Sequence, residues 1–229
     1  MVARSDVRLQ EITYFVRNVI AVVPCGLLLW SADHARAQAD LAGIRQFWSI
    51  ADFQRRMMDV VVRVERPADV AAIRQINELA FAQTLEADLV DQLRESCSDS
   101  VSLIAENAGV VVGHILFTPA VIEAEARFVA GMALAPMAVH PDWQRHGIGS
   151  RLVERGVLHL RERRCPFIVV VGHPDYYPRF GFERAYLHRI ACQWEGVPDE
   201  AFMILILEPQ VMVGVSGIAR YRKEFDAAV

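Results

Sequence analysis

From residue 59 onward, apolar positions fall into short runs whose spacing changes several times. Asp59-Val60-Val61-Val62-Arg63-Val64-Glu65 is a β-branched run of strand length, and Arg66-Pro67 breaks it. Pro67 and Asp69 stand where a helix begins. Val70, Ile73, Ile76, Leu79 and Ala80 recur at threes and fours, which predicts an amphipathic helix to Phe81. Leu85, Leu89, Val90 and Leu93 predict a second helix closing near Ser96. Residues 100–106 and 110–118 flank Asn107-Ala108-Gly109, the pattern of a hairpin. A second pair is expected over 120–125 and 129–140, turning near Ala126-Arg127. Ile148, Leu152, Val153, Val157, Leu158 and Leu160 predict a long helix running into the charges of residues 161–164. Phe167-Ile168-Val169-Val170-Val171 suits a central strand buried on both faces, and residues 202–207 a last strand before Glu208-Pro209.

The predicted order is β-α-α-β-β-β-α-β-α-β-β: an α/β domain over residues 57–229 with a mixed, mostly antiparallel central sheet and helices on both faces. Pro136 lies inside an otherwise central strand. Proline removes a ladder donor, so the strand should bulge or part from a neighbour over residues 136–139 and expose main-chain N–H groups.

Residues 1–56 read as a separate N-terminal extension. The apolar run from Val19 to Trp30 is too short to span a bilayer but has the length of a signal-peptide core, with Ala35-Arg36-Ala37 or Ala37-Gln38-Ala39 as small-residue sites. Asp6, Glu11 and the interruption Pro24-Cys25-Gly26 argue against export. The other readings are a translated stretch upstream of a start at Met57 or Met58, or a helical arm packed on a partner.

Composition narrows the function classes. The 229 residues carry 24 Lys+Arg against 28 Asp+Glu, a net charge of −4, so no basic field points to nucleic acid. Cys25, Cys97, Cys165 and Cys192 form no C-x-x-C pair, which leaves zinc and thioredoxin-like chemistry unsupported and suits reduced, buried thiols in the cytoplasm.

The chemistry-bearing segment follows the Pro136 strand. After His140-Pro141-Asp142-Trp143 comes Gln144-Arg145-His146-Gly147-Ile148-Gly149-Ser150, then the long helix. A strand, a glycine-bearing loop and a helix N-terminus make an anion site, because unpaired N–H groups and the helix dipole converge there. The segment lacks the triphosphate P-loop and the G-x-G-x-x-G fingerprint, leaving a Q-x-x-G-x-G loop that by itself is also compatible with a plain tight turn.

Residues 167–171 run into Gly172-His173-Pro174-Asp175-Tyr176-Tyr177-Pro178-Arg179-Phe180-Gly181-Phe182. MAVHPDWQRHGIGSRL together with VVVGHPDYYPRFGF resembles the GCN5-related N-acetyltransferase (GNAT) superfamily, in particular its YhbS-like bacterial branch, and the tail WEGVPDEAFMILIL with GVSG-x-x-x-Y is similar to that branch as well. The resemblance runs from about Met57 to the C-terminus. It finds no counterpart for residues 1–56, which favours the upstream-translation reading.

The resemblance implies the GNAT fold and acetyl transfer from acetyl-CoA, without a metal, to a primary amine on a small molecule or a peptide terminus. It implies a cytoplasmic location, no nucleic-acid or membrane partner, and allows a homodimer. It implies that Gln144, Gly147 and Gly149 hold the pyrophosphate of acetyl-CoA, with N–H groups from Arg145, His146, Ile148 and Ser150. It implies that the main chain of Met137, Ala138 and Val139 pairs with the pantetheine arm and polarises the thioester. Tyr177, four residues before Gly181, matches the tyrosine that protonates the departing thiolate. Glu86, Glu106, His173 or a water relay are the candidates for the base. A catalytically weak CoA-binding sensor or scaffold is the rival reading, and export of the enzyme a third.

Overall fold

The computed structural model describes residues 60–227, so every expectation for residues 1–56 and for the Met57-Met58 start lies outside the described residues. Strand β1 (Val61–Val64) is followed by helices α1 (Val70–Phe81) and α2 (Leu85–Ser96). Then come strands β2 (Val101–Asn107), β3 (Val110–Ala124) and β4 (Phe128–Val139), helix α3 (Ile148–Glu162) and strand β5 (Phe167–Val171). Short strands β6 (Glu183–Arg184) and β7 (Ile190–Cys192), strand β8 (Phe202–Ile206), the one-turn helix α4 (Pro209–Met212) and strand β9 (Gly217–Arg220) complete the chain.

The sheet runs β1-β2-β3-β4-β5-β8-β6, with β9 continuing the β2 edge of β3 and carrying β7. Among the described strands, only β4–β5 and β7–β9 pair in parallel. All five residues of β5 are buried, as its uninterrupted apolar run predicts. One face of the sheet packs on α1, α2 and the C-terminal tail through Ile73, Leu89, Leu93, Phe202, Tyr221 and Phe225. The other face packs on α3 through Leu152, Leu160, Phe117, Ile168 and Met203.

Besides adding the short strands β6, β7 and β9, the structure departs from the predicted pattern over residues 110–124 and after β5. Residues 110–124 are one strand rather than the expected pair. Pro119 is tolerated because it falls between the last β2 partner of β3, at Phe117, and the first β9 partner, at Val121, where no ladder on that edge requires its missing N–H. After β5 the expected helix is replaced by 3-10 turns over Tyr177–Phe180 and Ala185–His188, since Pro174, Pro178 and the left-handed Gly181 stop propagation.

The expected irregularity at Pro136 is present. Ile115 pairs with Met137 and Phe117 with Leu134, so one residue of β3 faces two of β4 and the strand bulges at Ala135-Pro136, whose peptide bond is cis.

A buried polar chain fixes α1 over this part of the sheet. The Arg94 guanidinium donates to Glu65 at 2.9 Å, and Ser102 donates to the same carboxylate. His114 Nε2 lies 3.0 Å from Ser102 Oγ, and its Nδ1 lies 3.2 Å from Asn77 Nδ2, which also donates to Ile73 O. An amide nitrogen is only a donor, so Nδ1 must accept and the proton sits on Nε2. Burial pulls the His114 pKa down to about 4, consistent with a neutral ring. His114 stands opposite Ala138 in the β3–β4 ladder, so this chain ties α1 to the strand end that borders the site.

Candidate active site

Strands β4 and β5 pair only at Met132–Ile168 and Ala133–Val169, then separate. The pleat shows which groups face the gap. His140 N–H donates to Val112 O at 3.0 Å, so the alternation turns the N–H groups of Ala138 toward β3 and those of Met137 and Val139 away from it, toward β5. Gly172 N–H donates to Ala201 O at 2.8 Å, so the Val171 N–H likewise turns away from β8, toward β4. The parted strands thus direct three N–H groups into one gap.

Beyond β4 the loop passes through two left-handed residues, Arg145 at φ +63° and Gly147 at φ +79°, before α3 starts. The Gln144 side chain donates to Val139 O at 3.1 Å and ties the loop to the strand end. The first helical bond runs from Arg151 N–H to Gly147 O, which leaves the N–H groups of residues 148–150 without intrahelical partners, and no acidic side chain occupies that first turn. A cavity of about 270 Å³ opens over them.

Of the predicted binding residues, Met137, Val139, Gln144, Arg145, Gly147, Ile148, Gly149 and Ser150 line this cavity. Ala138 does not: its main chain is turned to β3 and its side chain packs with Ile76 and Phe81. His146, half-buried, does not line it either. Trp143, Tyr176 and Arg179 complete the wall. Arg179 is the residue that sequence reasoning missed. Its guanidinium lies 4.0 Å above the Tyr176 ring and donates to Ser150 Oγ at 3.2 Å. Its position inside the Tyr-Tyr-Pro-Arg-Phe-Gly-Phe run was the available signal.

The two tyrosines occupy different places. Tyr176 lies so close to Gly149 that a Cβ there would sit 2.6 Å from its hydroxyl. Tyr177 lies across Gly172 at the end of β5, where an added Cβ would meet its ring at 2.2 Å. Its ring is buried between Tyr176, at 5.1 Å, and Phe182, at 5.5 Å. Burial pushes the Tyr177 phenol above its ordinary range, so it stays protonated.

The candidate bases separate clearly. Glu106 accepts from Arg63 Nε at 2.8 Å and belongs to an ion-pair cluster with Asp69. His173 Nδ1 accepts the Asp175 N–H at 3.2 Å and caps the turn after β5. Glu86 is buried, holds both carboxylate oxygens within 3.0 Å of Gln83 Nε2, and has its pKa raised by burial. No group of His, Cys, Asp and Glu able to hold a metal ion occurs among the described residues. No helix among them is long and apolar enough to cross a membrane.

A family model of the acetyltransferase (GNAT) domain matches residues 98–184, which contain the loop, the parted strands and both tyrosines. Over 168 residues the chain is 33% identical to the uncharacterized N-acetyltransferase YhbS of Escherichia coli K12, covering 73% of this chain and 99% of the relative. The chain belongs to the GNAT acetyltransferase family. It is also 44% identical over 118 residues to the uncharacterized N-acetyltransferase YjhQ of the same organism, covering 51% of this chain and 65% of YjhQ. Among solved structures, Escherichia coli YhbS in complex with CoA superposes with a TM-score of 0.67 at 31% identity, over 73% of this chain and 92% of that one. A GNAT acetyltransferase from Brucella melitensis in complex with acetyl-CoA gives 0.60 at 34% identity, over 73% and 98%. This GNAT chain therefore shares its overall fold with both structures over 73% of its length.

Proposed function

We propose that this chain moves an acetyl group from acetyl-CoA to a primary amine by direct attack within a ternary complex. The observation that carries the reading is the continuity between the open N-terminus of α3 and the gap between β4 and β5. A ligand with a diphosphate at one end and a thioester at the other needs both, and two relatives hold a ligand of the CoA type. The N–H groups at residues 148–150 and the Arg145 and Arg179 side chains take the pyrophosphate. The Met137 and Val139 main chains take the pantetheine arm and the carbonyl oxygen.

In the transfer step the neutral amine nitrogen attacks the thioester carbon, a C–N bond forms, and the carbonyl electrons move to oxygen. N–H groups already aimed at that oxygen stabilise the oxyanion without reorganisation. Collapse breaks the C–S bond and expels the CoA thiolate. In this reading Tyr177, whose buried phenol stays protonated, donates a hydrogen bond to it. The thiol pKa is about 8.5, well below that of a buried phenol, so Tyr177 stabilises the thiolate and the net proton comes from the amine. Glu86 is the base that receives that proton: it is the one candidate carboxylate held by an amide rather than by a cation.

Calorimetry of CoA with the full chain, followed by thiol release with acetyl-CoA and a panel of primary amines, tests the reading. Binding with turnover is expected; absence of CoA binding overturns it. Tyr177→Phe should lower kcat about tenfold or more while changing CoA affinity little, and equal loss of both would make the ring a binding group. Glu86→Gln should lower turnover and raise the melting temperature at pH 7. The fold raises the Glu86 pKa, so its protonated form is the stabilising one: that contribution is present below the unfolded value of about 4.3 and lost as pH rises through the folded value. The gain from Gln should accordingly shrink toward pH 4. A melting temperature that falls at neutral pH would contradict the assignment.

A further inference from the structure

The sheet is unevenly covered on its α3 face. The core beneath α3 reaches Phe117 on β3 and Met132 on β4 and goes no further toward the turn that joins the two strands. Beyond that line β3 has β4 on one edge and β9 on the other, and the register is fixed. Phe128, Glu123 and Ile218 stand opposite one another across the three strands. Two residues further along stand Ala130, Val121 and Arg220. Residues directly opposite in a ladder share a face. The row between these two, Val129, Ile122 and Ala219, is buried in the core on the α1–α2 side. By alternation the two outer rows point to the α3 side.

Among the described residues these two rows stay open to solvent. Phe128 is 75% exposed and Ile218 37%, Ala130 is exposed and Val121 half-buried. A sheet face turned to water ordinarily carries the polar residues of the alternation. Here four of the six are apolar, which marks a contact surface rather than a solvated one. The other two are an acid and a base. Arg220 Nε donates to Glu123 Oε2 at 2.8 Å, and both side chains remain exposed.

We propose that this face is an interaction surface closed by a second copy of the chain, with Phe128 as its apolar anchor. The charges single out that partner. A two-fold axis lying in the interface between Glu123 and Arg220 sets each carboxylate against the other copy's guanidinium, so the patch is complementary to itself, as an isologous contact requires. A partner patch of one charge sign would leave Glu123 or Arg220 against its like, which opposes association. The apolar residues of the two rows lose water together, and a large exposed aromatic ring gains most from that. The face lies at the start of β4, whereas the cavity over α3 lies past its end, so the proposal stands apart from the acetyl-transfer reading.

Sedimentation velocity of the full chain, from about 1 to 100 μM, tests it. The wild type should form a dimer in this range. Phe128→Asp should raise the dissociation constant about tenfold or more. Ala130→Arg repeats the test on the neighbouring row, so that a folding defect in one variant leaves the other readable. Glu123→Arg and Arg220→Glu should each be monomeric alone, because like charges then meet across the axis. An equimolar mixture of those two should associate, since the two cationic positions of one then face the two anionic positions of the other. A wild type that stays monomeric throughout overturns the proposal. A dimer that Phe128→Asp and Ala130→Arg leave intact does so by placing the contact elsewhere, and a mixture that fails to associate does so by removing the charge pairing. A monomer whose residues 19–30 are protected from hydrogen exchange, and lose that protection in Phe128→Asp, overturns it by giving the face to the chain's own N-terminal segment.

Discussion

Strands β4 and β5 lie side by side, and each runs into the same tripeptide, His140-Pro141-Asp142 in one case and His173-Pro174-Asp175 in the other. The local geometry repeats. Each histidine Nδ1 accepts the N–H of the aspartate two residues on, at 3.3 Å and 3.2 Å, and lies 3.9 Å from that aspartate's carboxylate. Past the two tripeptides the chain diverges completely. After β4 it turns through two left-handed residues and exposes the start of a helix; after β5 it forms a 3-10 turn that presents two tyrosines and a guanidinium. The β4 end thus supplies most of the main-chain donors and the β5 end adds the Tyr176 and Arg179 side chains, and the cavity is the meeting of the two. The difference bears on His173. As one of a matched pair of turn caps, with its Nδ1 lone pair engaged, it is explained without a role in proton transfer.

Each half also contains a glycine pressed against a tyrosine of the other kind of environment, and substitutions there can break the comparison. Gly172→Ala should have the largest effect. The added methyl would meet the buried Tyr177 ring at 2.2 Å with Phe182 behind it, so overpacking of about 1–3 kcal/mol should lower the melting temperature by several degrees and abolish acetyl transfer. An unchanged melting curve would mean that the ring is free to move and that the two halves are alike. Gly149→Ala should do less to stability, because its methyl meets only the tip of Tyr176, at 2.6 Å. CoA affinity should fall several-fold while melting shifts little, and Tyr176→Phe in the same chain should restore part of that affinity by removing the obstructing oxygen. Failure of the rescue would place the clash in the backbone instead. The smallest effect is expected for His173→Ala: loss of one local turn bond, about 0.5–1 kcal/mol, with the pH profile of acetyl transfer unchanged apart from its scale. Disappearance of one limb of that profile would return His173 to the candidate bases and end the analogy with His140.

Much of this arrangement was legible in the residues. The helix over residues 70–81 and the buried strand over 167–171 appear where periodicity and the uninterrupted apolar run put them, since both signals reflect burial that the fold then realises. The bulge at Pro136 followed from one missing N–H. The loop from Gln144 to Ser150 carried its own glycines and a following helix. The unbroken strand over residues 110–124 was not legible, because proline breaks a strand only when a neighbour needs its donor, and whether one does at Pro119 depends on where β2 ends and β9 begins. The short strands β6, β7 and β9 have too few residues to show a period.

Local sequence therefore determined the longer elements, the parted strand and the glycine-bearing loop before α3, because each depends on the conformational limits of a few adjacent residues. The tertiary structure alone decided the rest. It turned Ala138 away from the cavity that Met137 and Val139 face, set Arg179 over Tyr176, tied His114 to Asn77 and Ser102, and packed Tyr221 against Trp194. These relations depend on ladder register and on contacts between residues distant in sequence, and no local pattern encodes which way a pleat points until its neighbours are in place.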